Sequence, residues 1–479
     1  MQLVASPHAV AAVPGDLVAS PHAAAAMPGD IVAGRATASP RAIDMPAAAD
    51  VAVIGAGVIG LSIAWRLALR GVAVAVFDRA GAGAGASLAA TGMLAAAAEH
   101  EPGCHDLLAL ALESQRLWPQ FRAALEAQSG HAIDYRECGT LVVALARDEV
   151  ERLRFRHDLH RRCGLDTRWL NGGEVRDLEP GLRPSVAAGL FCAEDHEVDP
   201  RLVMAALRAA FRAAGGRLVE HCAVTALDVA GGRVRGVVTT AGGGGGLCRA
   251  PAVVLAAGAW SGEVVADGLV VPVRPLRGQA LAVTTTPDTT LSRIVWTEQI
   301  HMAPKGDGRL IVGATVEECG FDDAITAGGL YALLEGARRA FPAIEEMPVE
   351  AAWTGFRPSS IDDAPILGAT PLAGLVIATG HHRNGYLLAP VTALAIEALI
   401  LDGALPAVAQ AFGLERFGVH SLPSPGNWLS DSHKFVGAAM ARRSSSSPAK
   451  RSGAGEGDRP QGGGGGLPAP TSRRSMMLS

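Results

Sequence analysis

The segment Val51 to Asp78, VAVIGAGVIGLSIAWRLALRGVAVAVFD, constrains the fold of this chain more than any other. Val51 to Ile54 is a short β-branched run, and Gly55, Gly57 and Gly60 follow at the GxGxxG spacing of a dinucleotide fold. At that spacing the first glycine permits a tight turn, the second lets the backbone approach a pyrophosphate, and the third lets helix and strand pack closely. The helix that comes next would offer N–H groups and the positive end of its dipole to phosphate oxygens. Asp78, twenty-three residues after Gly55, falls where an acid holds a ribose hydroxyl. A carboxylate there suits a free 2′-OH and repels a 2′-phosphate, but it does not choose between NAD and FAD.

At 479 residues the chain exceeds what one hydrophobic core serves, which predicts two domains. Hydrophobic residues make up 49% and charged residues 19%, the balance of a globular protein with large buried elements. A net charge of −5 argues against a nucleic-acid partner, which would meet a basic face. A small-molecule partner is expected instead. The seven cysteines (Cys104, Cys138, Cys163, Cys192, Cys222, Cys248 and Cys319) are scattered and never spaced as CxxC. No disulfide framework or structural zinc site is therefore expected, and reduced thiols in a cytoplasmic protein are the default. No uninterrupted apolar run reaches about 18 residues, so no membrane span is expected. The N-terminus has no Lys or Arg before Arg35, and prolines and aspartates interrupt its apolar residues, a poor match to a signal peptide.

Residues 3 to 16, LVASPHAVAAVPGD, recur almost unchanged at 17 to 30, and a degenerate third copy fades toward Pro46. A unit rich in Ala, Pro and Gly has few large apolar side chains to bury, so residues 1 to 48 read as a flexible leader. After Asp78, RAGAGAGASLAATGMLAAAAEH reads as a permissive glycine loop in which Ser87 and Thr91 offer hydroxyls near a bound cofactor. Apolar spacing predicts a helix over Asp106 to Gln128, a strand over Cys138 to Leu145 and a helix over Val150 to Cys163. The last carries His157 and His160 three apart among several arginines, which reads as a solvated face in preference to a metal site.

Leu202 to Ala214 reads as a helix followed by a succession of short strands. Val253 to Leu255 then forms a buried strand running into AAGAWSG, where Gly258 allows close backbone approach, so the chain has returned to the cofactor domain. Strand-like segments follow at Ala280 to Thr285 and Arg309 to Val312, with a helix near Leu330 to Phe341. WTGFRPSSIDDAPILG, with two prolines, reads as a loop. Leu375 to Ala378 reads as a strand, GHHRNG as a turn, and Leu387 to Leu401 as an apolar helix whose N-terminus aims at a ligand. Beyond about Gly418 the composition shifts to Ser, Pro, Gly and scattered Arg and cannot build a core, so a disordered tail is expected.

Several of these segments together resemble one family. VAVIGAGVIGLSIAWRLA, ATGMLAAAAE, VDPRLV, VVLAAGAWSG, GRLIVGATVEECGFD, WTGFRPSSIDDAPILG and ATGHHRNGYLLAPVTALAIEALI occur in that order between about 50 and 410. They are similar to the D-amino-acid oxidase family of FAD-dependent amine oxidases, and within it to the glycine oxidase branch that feeds thiazole synthesis for thiamine. The resemblance implies an α/β architecture: a Rossmann-like FAD-binding domain assembled from residues 49–134, 198–272 and 353–415. An α+β substrate domain, 135–197 and 273–352, is inserted between those parts, with the leader at 1–48 and the tail at 416–479.

By position match, the resemblance implies FAD contacts at Val58, Ile59, Asp78, Arg79, Ala86, Ser87, Thr91, Gly92 and Met93. It adds the backbone of Val224 and the loop made by His381, His382, Arg383, Asn384, Gly385, Tyr386 and Leu387. It also implies that Arg357 in GFRP and Arg383 in HHRNG hold the carboxylate of an amino acid, because guanidinium groups present paired N–H donors matched to a carboxylate. The implied chemistry is oxidative deamination of glycine, sarcosine and small D-amino acids. Hydride passes from the α-carbon to flavin N5, water hydrolyses the imine to a 2-oxo acid and ammonia, and O2 is reduced to peroxide. Positioning and electrostatics are what the protein supplies, so no side chain is assigned as a general base, and no metal is expected. The alternative is a D-amino-acid dehydrogenase that passes electrons to another acceptor, and a homo-oligomer stays open. Three positions depart from the family pattern. His301, whose imidazole titrates near neutrality, stands where a tyrosine helps to hold the substrate. Val316 stands where a methionine lines the pocket in one branch, and Tyr386 is bulkier than the aliphatic residue usual after RNG.

Overall fold

The computed structural model describes residues 44–241, 245–264 and 269–418. The repeats of the expected leader and the expected tail beyond Gly418 lie outside the described residues. Two large sheets organise the rest. The first has six strands in the order Ile366–Ala369, Leu375–Thr379, Ala252–Leu255, Val51–Ile54, Val74–Phe77, Arg217–Val219. All neighbours in it are parallel except the Ile366–Ala369 edge strand. The earliest strand of the chain, Val51–Ile54, lies inside this sheet with later strands on both sides, so the strand order reverses there. In an open parallel sheet, that reversal leaves a crevice beyond the carboxyl end of the strand, the place where ligands bind.

The second sheet has eight strands, in the order Val349–Ser360, Val273–Thr284, Arg309–Gly313, His301–Pro304, Ile294–Trp296, Thr140–Ala144, Ala188–Cys192, Thr167–Asn171. Chain segments therefore alternate between the two sheets. WTGFRPSSIDDAPILG is not the loop that its prolines suggest. Val349–Ser360 is a twelve-residue strand paired antiparallel with Val273–Thr284, and Ile366–Ala369 is a strand of the other sheet. Proline is tolerated here because Val349–Ser360 is an edge strand, so the missing N–H leaves no neighbouring carbonyl without a donor. The strand also runs across the 352/353 boundary expected between domains. The glycine-rich stretch after Asp78 likewise contains a short helix, Ala86–Ala89, rather than loop alone.

Helix Val58–Leu69 is apolar on almost every face and buries ten residues, which marks an interior helix. It packs against helix Gly385–Asp402, which also packs against helix His105–Ser129. Gly385–Asp402 is long and apolar enough to cross a membrane by length and composition, with a mean hydropathy of 1.6. It is instead a core helix: Leu388, Ala389, Val391, Ala393, Ala395 and Ile396 are fully buried, and Glu397 pairs with Arg66 of the neighbouring helix. Pro390 lies inside it, where proline has no N–H for the carbonyl four residues back. That carbonyl belongs to Tyr386, and Trp118 Nε1 donates to it (3.2 Å) and to the Leu387 carbonyl (3.0 Å). Ser114, one turn earlier on the same helix as Trp118, donates to the Leu387 carbonyl at 2.6 Å. The helix over Arg147–Arg162 corrects one reading: His157 is half-buried, but His160 is fully buried and not part of a solvated face. Leu153, Leu159 and His160 are the residues that this helix buries.

Because Trp118 supplies the donor that Pro390 cannot, Trp118→Phe should leave a buried carbonyl underbonded and lower stability by about 1–3 kcal/mol. Urea denaturation measures this, and an effect within experimental error would show that the proline gap needs no indole.

Candidate active site

The crevice beyond Ile54 opens into a cavity of about 790 Å³, within the range of small-molecule and cofactor sites. One end is formed by the glycine turn. Gly55 has φ +103°, and a Cβ there would lie 2.3 Å from the Ala256 carbonyl oxygen, so only glycine fits. Gly60 does not line the cavity. A Cβ at Gly60 would lie 2.0 Å from the Gly55 carbonyl oxygen, so its role is the close approach of helix to strand. Gly57, Val58, Ile59, Asp78, Arg79, Ala86 and Ser87 do line this end. Asp78 accepts from Ala56 N–H (2.7 Å) and Ala80 N–H (2.8 Å), so the acid is fixed by the turn it faces. Burial pushes its carboxyl above the usual range, against the pull of those two N–H groups. Ser87 Oγ accepts from Val58 N–H at 2.9 Å, so one of the helix N–H groups expected to face phosphate is already bonded.

The opposite end is built where strand Val349–Ser360 meets the turn before helix Gly385–Asp402. Ser359 forms a bridge with His381, and His382 N–H donates to the Pro358 carbonyl at 3.0 Å. These bonds bring Arg357 and Arg383 to one cavity wall, with Thr91, Gly92, Met93, Val224, Gly258, His301, Val316, His381, His382, Gly385 and Tyr386 on the same lining. Asn384 and Leu387 are not on that wall; Asn384 caps the helix, and Leu387 is buried with its carbonyl bonded to Ser114 and Trp118. On the paired strand Leu276 lies opposite Arg357, and the guanidinium reaches along to Gly278, where a Cβ would lie 2.6 Å from it.

The two arginines are not equivalent. Arg383 Nε donates to Glu99 Oε2 at 2.6 Å, and its Nη2 donates to Glu101 Oε1 at 2.7 Å. Burial opposes its charge, but those two carboxylates more than compensate and hold its pKa above the ordinary arginine value. Arg357 donates to the Thr315 carbonyl at 3.0 Å, and among the described residues no carboxylate is ion-paired with it. Burial and the nearby Arg383 charge bring its pKa down to about 10. Arg357 is therefore a half-buried cation on the cavity lining that a carboxylate ligand would complete.

His301 Nε2 lies 3.0 Å from Thr91 Oγ1. Burial, together with Arg357, Lys305 and Arg383, pushes this imidazole down to about 3, so it does not titrate near neutrality as a free histidine would. The bulk of Tyr386 is explained by its hydroxyl, which donates to the Ser87 carbonyl (2.9 Å) and bonds the Pro200 carbonyl (3.2 Å). The ring thus ties the loop after Asp78 to a neighbouring helix. Glu99 and Glu101 were not singled out by sequence reasoning. Their signal is slight, two acids flanking a histidine at the end of a run of alanines.

A family model described as DAO, FAD dependent oxidoreductase, matches residues 50–399. The chain belongs to this family of FAD-dependent oxidoreductases. It is 35% identical over 379 residues to the bifunctional protein ThiO/ThiG of Trichormus variabilis, covering 78% of this chain and 56% of that protein. The chain thus spans little more than half the length of that relative. It is 35% identical over 354 residues to the glycine oxidase of Geobacillus kaustophilus, covering 73% of this chain and 92% of that one. The crystal structure of that glycine oxidase superposes with a TM-score of 0.71 at 34% identity, covering 76% and 98% of the two chains. The cavity suits the family's cofactor: a glycine turn with no room for a side chain at one end, a fixed acid beside it, and a continuous wall to the two arginines.

Three histidines of this site, His301, His381 and His382, are held neutral with pKa values of about 3, chiefly by burial. Their pKa in the unfolded chain is near 6.5, so each takes up a proton on unfolding between those values. Their contribution is fully present above about pH 6.5 and is lost as pH falls toward 3, by ~1.4 kcal/mol per pH unit for each histidine. His381, bonded through Nε2 to Thr392 Oγ1 at 3.0 Å, is the cleanest test. His381→Gln should flatten the loss of stability between pH 6 and 4 by about one proton's worth, as read by urea denaturation at each pH.

Proposed function

We propose that this protein oxidises glycine and small amines such as sarcosine and small D-amino acids to an imine, which water hydrolyses to a 2-oxo acid and ammonia, or methylamine in the case of sarcosine, with O2 reduced to H2O2. The observation that carries the reading is Arg357, a guanidinium on the cavity lining that bonds a backbone carbonyl and, among the described residues, is ion-paired with no carboxylate. FAD, when bound, supplies the two-electron acceptor and returns the electrons to oxygen. Gly55, Gly57, Asp78, Arg79 and Ser87 would hold its adenosine and phosphate end, and Gly258 and the turn at His381 to Tyr386 its flavin end.

The chain's own residues then do three things. Arg357 binds the substrate carboxylate, and Arg383, oriented by Glu99 and Glu101, adds a second positive charge to the same wall. His301, neutral and bonded to Thr91, offers a hydrogen bond without adding a third cation, which leaves the carboxylate to the arginines. The N-terminus of helix Gly385–Asp402 lies at the cavity, where its dipole favours negative charge. No residue is needed as a general base, because the amine reacts as the neutral form. The residue ranges expected for the FAD-binding and substrate domains are retained in this reading except at 352/353, which falls inside strand Val349–Ser360, and a cytoplasmic location and a role in supplying the thiazole branch of thiamine synthesis are retained with them.

Purified protein should be yellow and should release ammonia and peroxide with glycine. Anaerobic bleaching of the flavin by glycine, sarcosine, D-alanine and D-proline ranks the substrates, and no bleaching by any of them would end the proposal. Arg357→Ala should raise the Kd for substrate roughly thirty-fold or more, the loss expected for a buried charged pair. An unchanged Kd would remove Arg357 from the site.

A further inference from the structure

Outside the cavity, the described residues hold one group of soft, metal-ligating side chains. His100, His105 and Cys163 place one ligand atom each within 4.8 Å of one another. They come from three separate pieces of chain: a turn after the alanine run, the first residue of helix His105–Ser129, and the residue that caps helix Arg147–Arg162. Cys163 Sγ lies 3.4 Å from His100 Nε2. A tetrahedral zinc with Zn–N of about 2.0–2.1 Å and Zn–S of about 2.3 Å sets its nitrogen and sulfur ligands about 3.6 Å apart. The observed spacing is close to that value.

A second observation points to the same place. His160, one helical turn before Cys163, is fully buried, yet neither of its ring nitrogens has a hydrogen-bond partner. Its ring centroid lies 6.3 Å from that of His100, and the His100 and His105 rings are separated by the same distance. His105 is exposed and gives an ion a way in from solvent, while Cys163 is half-buried. Mixed imidazole and thiolate donors select zinc and similar soft divalent ions over calcium or magnesium.

We propose that His100, His105 and Cys163 bind one divalent zinc-class cation, with water as the fourth ligand on the exposed His105 side and the unbonded His160 ring packed beside His100. The site joins the ends of two helices to the turn between Glu99 and Glu101, the two acids that orient Arg383.

The holoprotein, carrying its flavin, tests this. After equilibrium dialysis against Zn2+ it should retain one ion per chain by elemental analysis. His105→Ala and Cys163→Ser should each weaken binding roughly tenfold or more, with the flavin absorbance retained as a check on folding. Two measurements need no variant. Co2+ added to the unaltered protein should give tetrahedral d–d absorption to the red of the flavin bands. Zn2+ should also protect Cys163 from alkylation, read by peptide mapping, while the remaining thiols react as before. Failure to retain the ion, an affinity unchanged in both variants, or Co2+ without tetrahedral absorption and Zn2+ without protection of Cys163 would overturn the assignment.

Discussion

The contact between Gly60 and the carbonyl of Gly55 is the one on which the rest of the molecule depends. With no side chain at Gly60, helix Val58–Leu69 sits directly against the end of the central strand, and no other residue permits that approach. The helix is then close enough to be buried on nearly all sides, which its apolar sequence requires. The same closeness aims its first turn at the crevice where the strand order reverses. Position of the cofactor end of the cavity and integrity of the core therefore follow from one backbone contact.

At the far end of the cavity, charge rather than packing decides the arrangement. Two guanidinium groups on one wall repel, and the fold answers this by giving both nearby acids to one of them. Arg383 becomes part of a fixed ionic cluster, while Arg357 keeps an open valence toward the cavity. Removing the remaining imidazole charge by burial, as at His301, leaves a site with one strong and specific anion anchor.

Much of this was readable in the sequence where local pattern and tertiary role agree. The glycine motif, the helix over residues 105–129 and the parallel strands around 51–54 and 252–255 carry their periodicity openly. The strand over Val349–Ser360 was missed because Pro358 is a breaker by local rules, and only the edge position in the assembled sheet makes it harmless. His160 sits among arginines in sequence but faces inward, because a helix face is set by what it packs on and not by its neighbours along the chain. Glu99 and Glu101 could not be found from sequence, since their meaning lies in Arg383, more than 280 positions away.

The central sheet also dictates when the protein can become a protein. Val51–Ile54 pairs with Ala252–Leu255, which in turn pairs with Leu375–Thr379. A chain emerging from the ribosome therefore holds its first strand with one flank uncovered until the middle of the sequence has been made. That sheet closes only after nearly the whole described length is available. Until then such a nascent chain exposes a β-branched strand edge, the feature that makes folding intermediates prone to aggregate. Cofactor capture is correspondingly a late event, because the two ends of the cavity are encoded some three hundred residues apart.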